Sequence, residues 1–269
     1  MLKLAVVGFG AIGRELARLL QADPAIRIVQ IIVPAPSVDR VSRLCTTLGL
    51  DARVRSALDL SADGRPDAVA ECAGHAALSA HVVPALEAGI PCAAASVGAL
   101  HEAGLLARLE EAARHGNTRL QLVTGAVGAI DALAAARIGG LDAVRYVGTK
   151  PPRGWLGTAA EQVCDLATLQ SARVIFNGSA REAALAYPKN ANVAATIGLA
   201  GLGLDRTQVE LVADPAVVRN THRLSAHGAF GRLELLLENL PLPDNPRTSA
   251  LAAYSVARAV RDLMSPVRF

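Results

Sequence analysis

The chain has 269 residues, of which 52 % are hydrophobic and 19 % charged, so it can build a sizeable core in one large domain or two smaller ones and is not a disordered protein. Its net charge is +3, its 27 basic residues are scattered rather than clustered, and its aromatic content is only 3 %, which argues against a nucleic-acid surface. No apolar run approaches the roughly 18 residues of a membrane helix, and the start lacks a signal peptide's apolar stretch. We therefore expect a soluble, cytoplasmic protein without a membrane or nucleic-acid partner.

The first third of the chain alternates strand-like and helix-like segments. Short apolar runs predict strands and amphipathic repeats predict helices. The predicted strands cover residues 3–7, 26–33, 67–71, 92–96 and 120–123, and the predicted helices cover residues 12–20, 40–48, 76–88 and 102–115. This alternation predicts an α/β fold for residues 1–123, with a doubly wound parallel sheet of the Rossmann type.

The pattern changes after residue 123, where strands follow one another with short turns. Predicted strands cover residues 143–149, 173–176, 207–212, 221–226 and 232–238, and predicted helices cover residues 130–138, 180–186 and 192–202. We therefore expect residues 124–245 to form a smaller α+β domain with a largely antiparallel sheet. A last helix following Pro246, within residues 246–269, has an apolar stripe and is expected to complete the first domain, with Thr248 or Ser249 as its cap.

The strongest local motif is Gly8-Phe9-Gly10-Ala11-Ile12-Gly13, which follows the first predicted strand and opens the first predicted helix. Gly8 permits a tight turn, Gly10 lets the backbone approach a pyrophosphate, and Gly13 lets the helix pack close to the strand. The free N–H groups of the helix N-terminus then face the phosphates. The motif predicts a nicotinamide dinucleotide site with contacts at Gly8, Gly10, Ala11, Ile12 and Gly13.

The end of the second predicted strand leaves the choice between NAD and NADP open. An acidic residue that binds the ribose 2′-hydroxyl is expected about 20 residues after the glycines. The chain has Val-Pro-Ala-Pro-Ser at residues 33–37 instead, with Asp39 slightly late. Ser37 and Arg40 suit the 2′-phosphate of NADP.

Several later motifs are more specific than the glycine pattern. They are the segments 72–75 (CAGH), 96–100 (SVGAL), 124–131 (TGAVGAID), 148–152 (GTKPP), 187–196 (YPKNANVAAT), 220–222 (NTH) and 245–251 (NPRTSAL). With these motifs the chain resembles the L-aspartate dehydrogenase family over nearly its whole length.

That resemblance implies a homodimeric, NAD- or NADP-dependent oxidoreductase. The implied reaction is the oxidative deamination of L-aspartate to oxaloacetate and ammonia through iminosuccinate, which can supply NAD (pyridine nucleotide) biosynthesis. The resemblance also implies that the second domain binds substrate and forms the dimer, and that His222 is the catalytic residue. The expected cofactor contacts within the matching motifs are Cys72, Ala73, Gly74, Ala126 and Asn192.

His222 suits the role of base because the ordinary pKa of an imidazole lies close to neutral pH. In a strand, its neighbours Thr221 and Arg223 point to the opposite face. A hydrogen-bonded histidine without a catalytic role is the alternative. The four cysteines form no metal-binding pattern and are expected to be thiols in a reducing compartment, so no metal is predicted.

Cations or amides must hold the two carboxylates of the substrate. We place Lys189, Asn190 and Lys150 in the substrate site, with Lys189 favoured, and Arg153 is a further candidate. Surface positions for the cations, and helix capping by Asn190 and Asn192, are the alternatives.

Two other functions stay open. One is a nicotinamide-dependent reductase of another small amino or keto acid, and the other is a non-catalytic dinucleotide-sensing protein. Related sugar dehydrogenases carry Glu-Lys-Pro where this chain has Ser-Val-Gly at residues 96–98, and the double histidine of dihydrodipicolinate reductases is missing. A sensor would usually need a DNA-binding module, and no basic stripe or helix-turn-helix is evident.

Overall fold

The computed structural model describes residues 1–188, 192–243 and 245–267, apart from the side chains at 246 and 247. The chain folds into two compact units. The first comprises Met1–Val123 with Ala252–Phe269, and the second comprises Thr124–Leu251. In the described ranges, no helix is both long enough and apolar enough to cross a membrane.

The first unit is built on a six-stranded sheet in which every neighbouring pair is parallel. Its strands are β1 (Leu2–Val7), β2 (Ile26–Ile32), β3 (Arg53–Arg55), β4 (Ala68–Glu71), β5 (Cys92–Ala94) and β6 (Leu120–Leu122). Its helices are α1 (Ala11–Leu20), α2 (Val38–Thr47), α3 (His75–Ala77), α4 (Val83–Glu87) and α5 (Leu105–His115). The spatial order β3-β2-β1-β4-β5-β6 confirms the predicted doubly wound sheet, and ligands of such sheets bind where the order reverses, here between β1 and β4.

Two elements of the first unit differ from the sequence-based expectation. Strand β3 was not predicted, because its three residues include two arginines and show no apolar pattern. The helix predicted over residues 76–88 is interrupted by a π-helical turn, Leu78–Val82, between α3 and α4. Pro84 follows this turn and has no N–H to continue the regular hydrogen-bond ladder.

The core of the first unit includes residues from the far end of the chain. Leu4 and Val6 of the central strand are completely buried, and Leu16 and Leu20 of α1 pack in the same cluster. The last helix of the chain, α9 (Ala250–Asp262), adds four buried side chains to this cluster: Val256, Ala257, Ala259 and Val260.

The second unit contains a five-stranded mixed sheet in the order β11-β10-β7-β9-β8. Its strands are β7 (Leu141–Lys150), β8 (Arg173–Ser179), β9 (Gln208–Ala213), β10 (Asn220–Gly228) and β11 (Gly231–Asn239), and its helices are α6 (Ile130–Gly139), α7 (Ala180–Ala186) and α8 (Asn192–Ala200). Three neighbouring pairs are antiparallel, which confirms the largely antiparallel prediction. The pair β7–β9 is parallel, because the chain passes through β8, α7 and α8 before it returns beside β7.

The segment around Pro246 is extended before the last helix begins. Residues Pro241–Leu242 and Asn245–Ser249 form a small antiparallel pair, β12 and β13, and α9 begins at Ala250, directly after the second of the two predicted cap positions. The ring of a proline disfavours the helical conformation at the residue before it, which agrees with the extended backbone at Asn245. Ser249 stands directly before α9, but its buried Oγ has no hydrogen-bond partner within the described ranges, so it does not act as the predicted cap.

Candidate active site

The glycine-rich turn lies between the end of β1 and the start of α1. Gly8 has a φ of +91°, and a Cβ there would lie 2.5 Å from Cα of Ala73. A Cβ on Gly13 would overlap the carbonyl oxygen of Gly8. Both glycines are therefore required by the fold itself, through a left-handed backbone at Gly8 and a close helix–strand approach at Gly13.

Gly10 differs from its two neighbours in the motif. Its φ of −77° suits any residue, and no heavy atom lies within 4 Å of the position its Cβ would occupy. Gly10 is also the residue directly before α1 and has no side chain, so no side-chain hydrogen bond from this position caps the helix. Ala11 and Ile12 follow as the partly exposed first residues of α1. The missing side chain therefore leaves open space in front of a helix N-terminus, which is what a bound phosphate group needs.

A buried carboxylate organises the loops that follow β4 and β5. Glu71 is fully buried, and its Oε1 accepts hydrogen bonds from the backbone N–H groups of Ala73 (2.7 Å) and Gly74 (2.9 Å). The Oγ of Ser96 donates to the same oxygen at 2.7 Å, and the N–H of Ser96 donates to Oε2 at 3.0 Å. One carboxylate thus holds both loops at the carboxyl edge of the sheet.

Cys72 lies at the start of this loop, where its N–H donates to the carbonyl of Val7. Burial, with a smaller contribution from the charge of Glu71, raises the pKa of the Cys72 thiol well above its ordinary value. The thiol of this partly buried side chain therefore stays protonated at neutral pH.

A cleft of about 360 Å³ opens beside this loop within the first unit. Its lining includes Ile32, Pro34, Ala73, Gly74 and His75. Mostly apolar walls with a few polar groups are typical of sites that hold a planar ring. Burial, and then the neighbouring His101, lower the pKa of His75, which favours its neutral form.

The end of β2 presents no acidic residue to this cleft. The strand ends at Ile32, and the next residues are the buried Val33 and the exposed Pro34. Asp39 and Arg40 both lie exposed in α2. The choice between a ribose hydroxyl and a ribose phosphate is therefore not fixed by a carboxylate at the usual position.

His222 lies near the start of β10, an interior strand of the second unit's sheet, and only 4 % of its surface is exposed. It is paired directly across from Gly148 of β7. Its Nδ1 is 2.7 Å from Oη of Tyr146, and the two rings are nearly parallel at 13°. Thr221 and Arg223 point to the other, more exposed face, as expected.

The electrostatic surroundings keep the imidazole of His222 neutral. Burial is the larger cause and the charge of Lys150 the smaller cause, and together they lower the pKa of His222 to about 3. At neutral pH the ring therefore has a free lone pair, but a pKa of about 3 lies well below the near-neutral value on which the sequence argument for a base relied, so the ring holds an accepted proton only transiently.

Lys150 ends β7 on the same face as Tyr146 and Gly148, since alternate residues of a strand share a face. Its Nζ lies 4.9 Å from the ring centre of Trp155, a cation–π contact. The indole is buried, and its Nε1 donates to the carbonyl of Val212 at 3.0 Å. Burial lowers the pKa of Lys150 to about 8.

The remaining predicted contacts of the second unit lie in different places. Asn192 is the first residue of α8, and Ala126 is a buried turn residue whose carbonyl accepts a 2.7 Å hydrogen bond from Nδ2 of Asn239. Arg153 is exposed. The predicted substrate residues Lys189 and Asn190 lie outside the described residues, and in the described parts no group of three or more His, Cys, Asp or Glu side chains is arranged to hold a metal ion.

Sequence reasoning missed the supporting residues Glu71, Tyr146 and Asn239. The signal for Glu71 was a lone acid at the end of an apolar strand, since an uncompensated buried charge is costly. The signal for Tyr146 was its alternation with Gly148 and Lys150 along β7. Nothing in the sequence indicates that Asn239 bonds a carbonyl 113 residues earlier in the chain.

Two family models match the chain. The model described as "Aspartate dehydrogenase, C-terminal" matches residues 131–263, and the model described as "Homoserine dehydrogenase, NAD binding domain" matches residues 8–122. The relatives named L-aspartate dehydrogenase from Pseudomonas aeruginosa and from Cupriavidus necator are each 57 % identical over 260 residues, covering 97 % of this chain and 97 % of theirs.

The chain is also similar in structure to a solved aspartate dehydrogenase. The crystal structure of aspartate dehydrogenase from Thermotoga maritima has a TM-score of 0.76 and 25 % identity, covering 100 % of this chain and 99 % of that one. An amine dehydrogenase from Mycobacterium smegmatis, with 14 % identity, a TM-score of 0.57 and coverage of 98 % and 92 %, shares the fold alone. From these sequence relatives, and in agreement with the aspartate dehydrogenase model over residues 131–263, this chain belongs to the L-aspartate dehydrogenase family.

Proposed function

We propose that the chain oxidises L-aspartate to oxaloacetate and ammonia through iminosuccinate, with NAD or NADP as the hydride acceptor. The observation that carries this proposal is the buried, neutral imidazole of His222 beside the ammonium of Lys150, in a unit that matches the aspartate dehydrogenase model. The pair offers a proton acceptor and a carboxylate-binding cation, which are the two functions that an amino diacid requires.

The residues of the first unit fit a dinucleotide. The open space at Gly10 and the uncapped N-terminus of α1 suit a pyrophosphate, and the cleft beside Gly74 suits an adenine ring. When bound, the nicotinamide ring supplies the hydride acceptor. The proposed contacts are Gly8, Gly10, Ala11, Ile12 and Gly13 from the turn, Cys72, Ala73 and Gly74 from the loop after β4, and Ala126 and Asn192 from the second unit.

His222 is the proposed catalytic base. A protonated amine has no lone pair to assist departure of the α-hydrogen as hydride, so the α-ammonium of aspartate must first lose a proton. The neutral imidazole accepts that proton, and this is the first of two proton transfers in the reaction. The imidazole passes this first proton to solvent and, after the C=N bond of iminosuccinate has formed, takes a second proton from the water that attacks the imine carbon. It returns that proton to the nitrogen of the resulting carbinolamine, which then leaves as ammonia.

Lys150 is a proposed partner for a substrate carboxylate. The contact with the indole of Trp155 limits where the ammonium of Lys150 lies, and the positive charge complements a dianionic substrate. Lys189 and Asn190 stay predictions for the same role.

The wider setting is also proposed. A homodimer is what the resemblance to the family implies and stays a proposal, because the exposed Val174 and Leu236 lie on opposite edge strands of the second unit's sheet and form no single apolar patch. The free state of all four cysteines supports a reducing compartment such as the cytoplasm. Iminosuccinate released before hydrolysis would be available for pyridine nucleotide biosynthesis.

The direct test is to mix the protein with L-aspartate and NAD, and separately with NADP, and to follow the absorbance of the reduced nicotinamide. We expect turnover with aspartate and a kcat roughly 100-fold lower in His222→Ala, the usual scale for loss of a general base. A panel of other amino acids and keto acids is the control. Turnover only with another acid would favour a different reductase, and nucleotide binding without turnover would favour a sensor.

A further inference from the structure

We propose that Tyr146 is a positioning residue for His222, holding the imidazole through Nδ1 so that Nε2 exchanges protons with the substrate. This inference rests on the proposed function, because it assigns a role within the same site.

The first observation is the bond between the two side chains. Tyr146 Oη and His222 Nδ1 are 2.7 Å apart, and both residues are buried, with 2 % and 4 % of their surfaces exposed. The rings are nearly parallel, with centroids 5.9 Å apart. Within the described residues, Nδ1 is the ring nitrogen that bonds to the protein, so Nε2 is left for a ligand.

The second observation is the glycine directly opposite His222. The register of β7 and β10 pairs His222 with Gly148, while Tyr146 pairs with Leu224. The phenol therefore reaches one step along the sheet and lies over Gly148. A Cβ at Gly148 would lie 2.5 Å from Oη and 3.0 Å from Cζ of Tyr146. Glycine weakens a strand interior, and here it makes room for the hydroxyl beside the histidine.

The third point is the chemistry of a phenol as the partner. For Nε2 to accept a proton, the neutral ring must carry its own proton on Nδ1, and this N–H donates to the hydroxyl oxygen of Tyr146. Burial raises the pKa of Tyr146, so the phenol stays protonated at neutral pH. The same bond therefore persists when His222 takes up a proton, and the ring does not have to turn between the two proton transfers of the cycle.

Among the residues that the structure describes, the titratable side chains that act on the His222 ring are Tyr146 and Lys150, and both belong to β7. Lys150 acts by its charge, whereas Tyr146 acts by direct contact. Replacing the phenol hydroxyl therefore changes the orientation of the ring without changing the charge of the site.

The main experiment compares Tyr146→Phe with the unmodified protein. We expect kcat for aspartate to fall roughly tenfold or more, with the KM values for aspartate and for the nucleotide changing less than about threefold, because the lost contact orients the base rather than the ligands. In a His222→Ala background, Tyr146→Phe is expected to cause no further loss of kcat. An equal loss in both backgrounds, or an unchanged kcat in the single variant, would overturn the proposal.

Two further variants separate positioning from general stability. Gly148→Ala keeps the hydroxyl but displaces it, so its kcat should fall in the same direction as that of Tyr146→Phe. Tyr187→Phe removes another buried phenol, whose Oη donates to the carbonyl of Ile175 at 3.0 Å. It should lower the unfolding temperature comparably while leaving kcat much closer to the original value. A kcat loss in Tyr187→Phe matching that of Tyr146→Phe would indicate a structural role.

A spectroscopic measurement does not depend on turnover. Nitrogen-15 resonances of the His222 ring in the unliganded protein report which nitrogen bears the proton and how it is hydrogen-bonded. Tyr146→Phe should shift the Nδ1 resonance, whereas Tyr187→Phe should not. A shift in a protein that does not oxidise aspartate would contradict the proposed reaction but not the bond. An Nδ1 resonance unaffected by Tyr146→Phe would refute the positioning role itself.

Discussion

The three glycines of the opening motif have different physical roles. Gly8 and Gly13 have no space for a Cβ, whereas Gly10 has open space around it and an ordinary φ. The fold therefore requires the first two, and only a ligand would require the third. A comparison of substitutions at Gly10 and Gly13 can separate binding from folding.

We expect Gly10→Val to leave the unfolding temperature nearly unchanged and to abolish detectable NAD and NADP binding. Gly13→Val should lower the free energy of unfolding by more than about 2 kcal/mol, because its side chain would overlap the Gly8 backbone. Calorimetric titration and thermal unfolding measure the two effects. Unchanged nucleotide affinity in Gly10→Val would contradict the assigned site.

The lowered pKa of Lys150 makes carboxylate binding depend on pH. The folded-state pKa of about 8 lies below the ordinary 10.5, so the ammonium is charged below pH 8 and loses its charge as the pH rises above it. His222, with a pKa of about 3, does not titrate in this range. Affinity for a dicarboxylate should therefore be greatest below pH 8 and fall above it.

Succinate is the suitable probe, because it has two carboxylates and no amine that titrates. Its inhibition constant should rise above pH 8 by at most roughly tenfold per pH unit, as expected for one coupled proton. Lys150→Met should show a higher inhibition constant that is independent of pH between 7 and 9. The same pH dependence in both proteins would exclude Lys150 as the carboxylate partner.

At the scale of secondary structure, the sequence predicted elements that depend on neighbouring residues of the chain. It did not predict an element that depends on pairing with a distant strand. The prediction for residues 180–186 coincides with α7, where Ser179 and Glu182 form a capping box within four residues of chain. The glycine turn was likewise predicted, because strand, turn and helix are consecutive. Strand β3 was missed because it is held by its pairing with β2 rather than by its own composition.

The candidate site shows the same division. His222 was identified from its motif, but its bond to Tyr146 joins residues 76 positions apart and depends on the register of β7 against β10. The lowered pKa of His222 depends on the same register, since it brings burial and Lys150 together. Such properties arise only when the strands are paired.

At the scale of the whole molecule, the chain forms the first unit from both of its ends. The polypeptide leaves this unit after Val123 and re-enters it at Ala252, within α9. Val256 and Val260 of that helix are completely buried in the same cluster as Leu4 and Leu16. The nucleotide-binding fold is therefore complete only when the C-terminal helix is present.

Val256→Asp is expected to destabilise the first unit by several kcal/mol, about the cost of burying an unpaired charge. Nucleotide binding should weaken with it, although the residue does not belong to the proposed nucleotide contacts. Arg258→Ala, on a more exposed position of the same helix, is the matched control and should have little effect. Urea unfolding and nucleotide titration provide the measurements, and normal stability of Val256→Asp would contradict this view of the core.

The carboxylate of Glu71 connects two loops that are separate in sequence. Because Oε1 accepts from Ala73, Gly74 and Ser96 together, neither loop can change its backbone path without disturbing the other. Evolutionary change in these two segments is therefore expected to be correlated, with substitutions at 96 tolerated only alongside an adjustment at 73 or 74. An engineer who aims to alter nucleotide preference should redesign both segments as one unit and keep the acid.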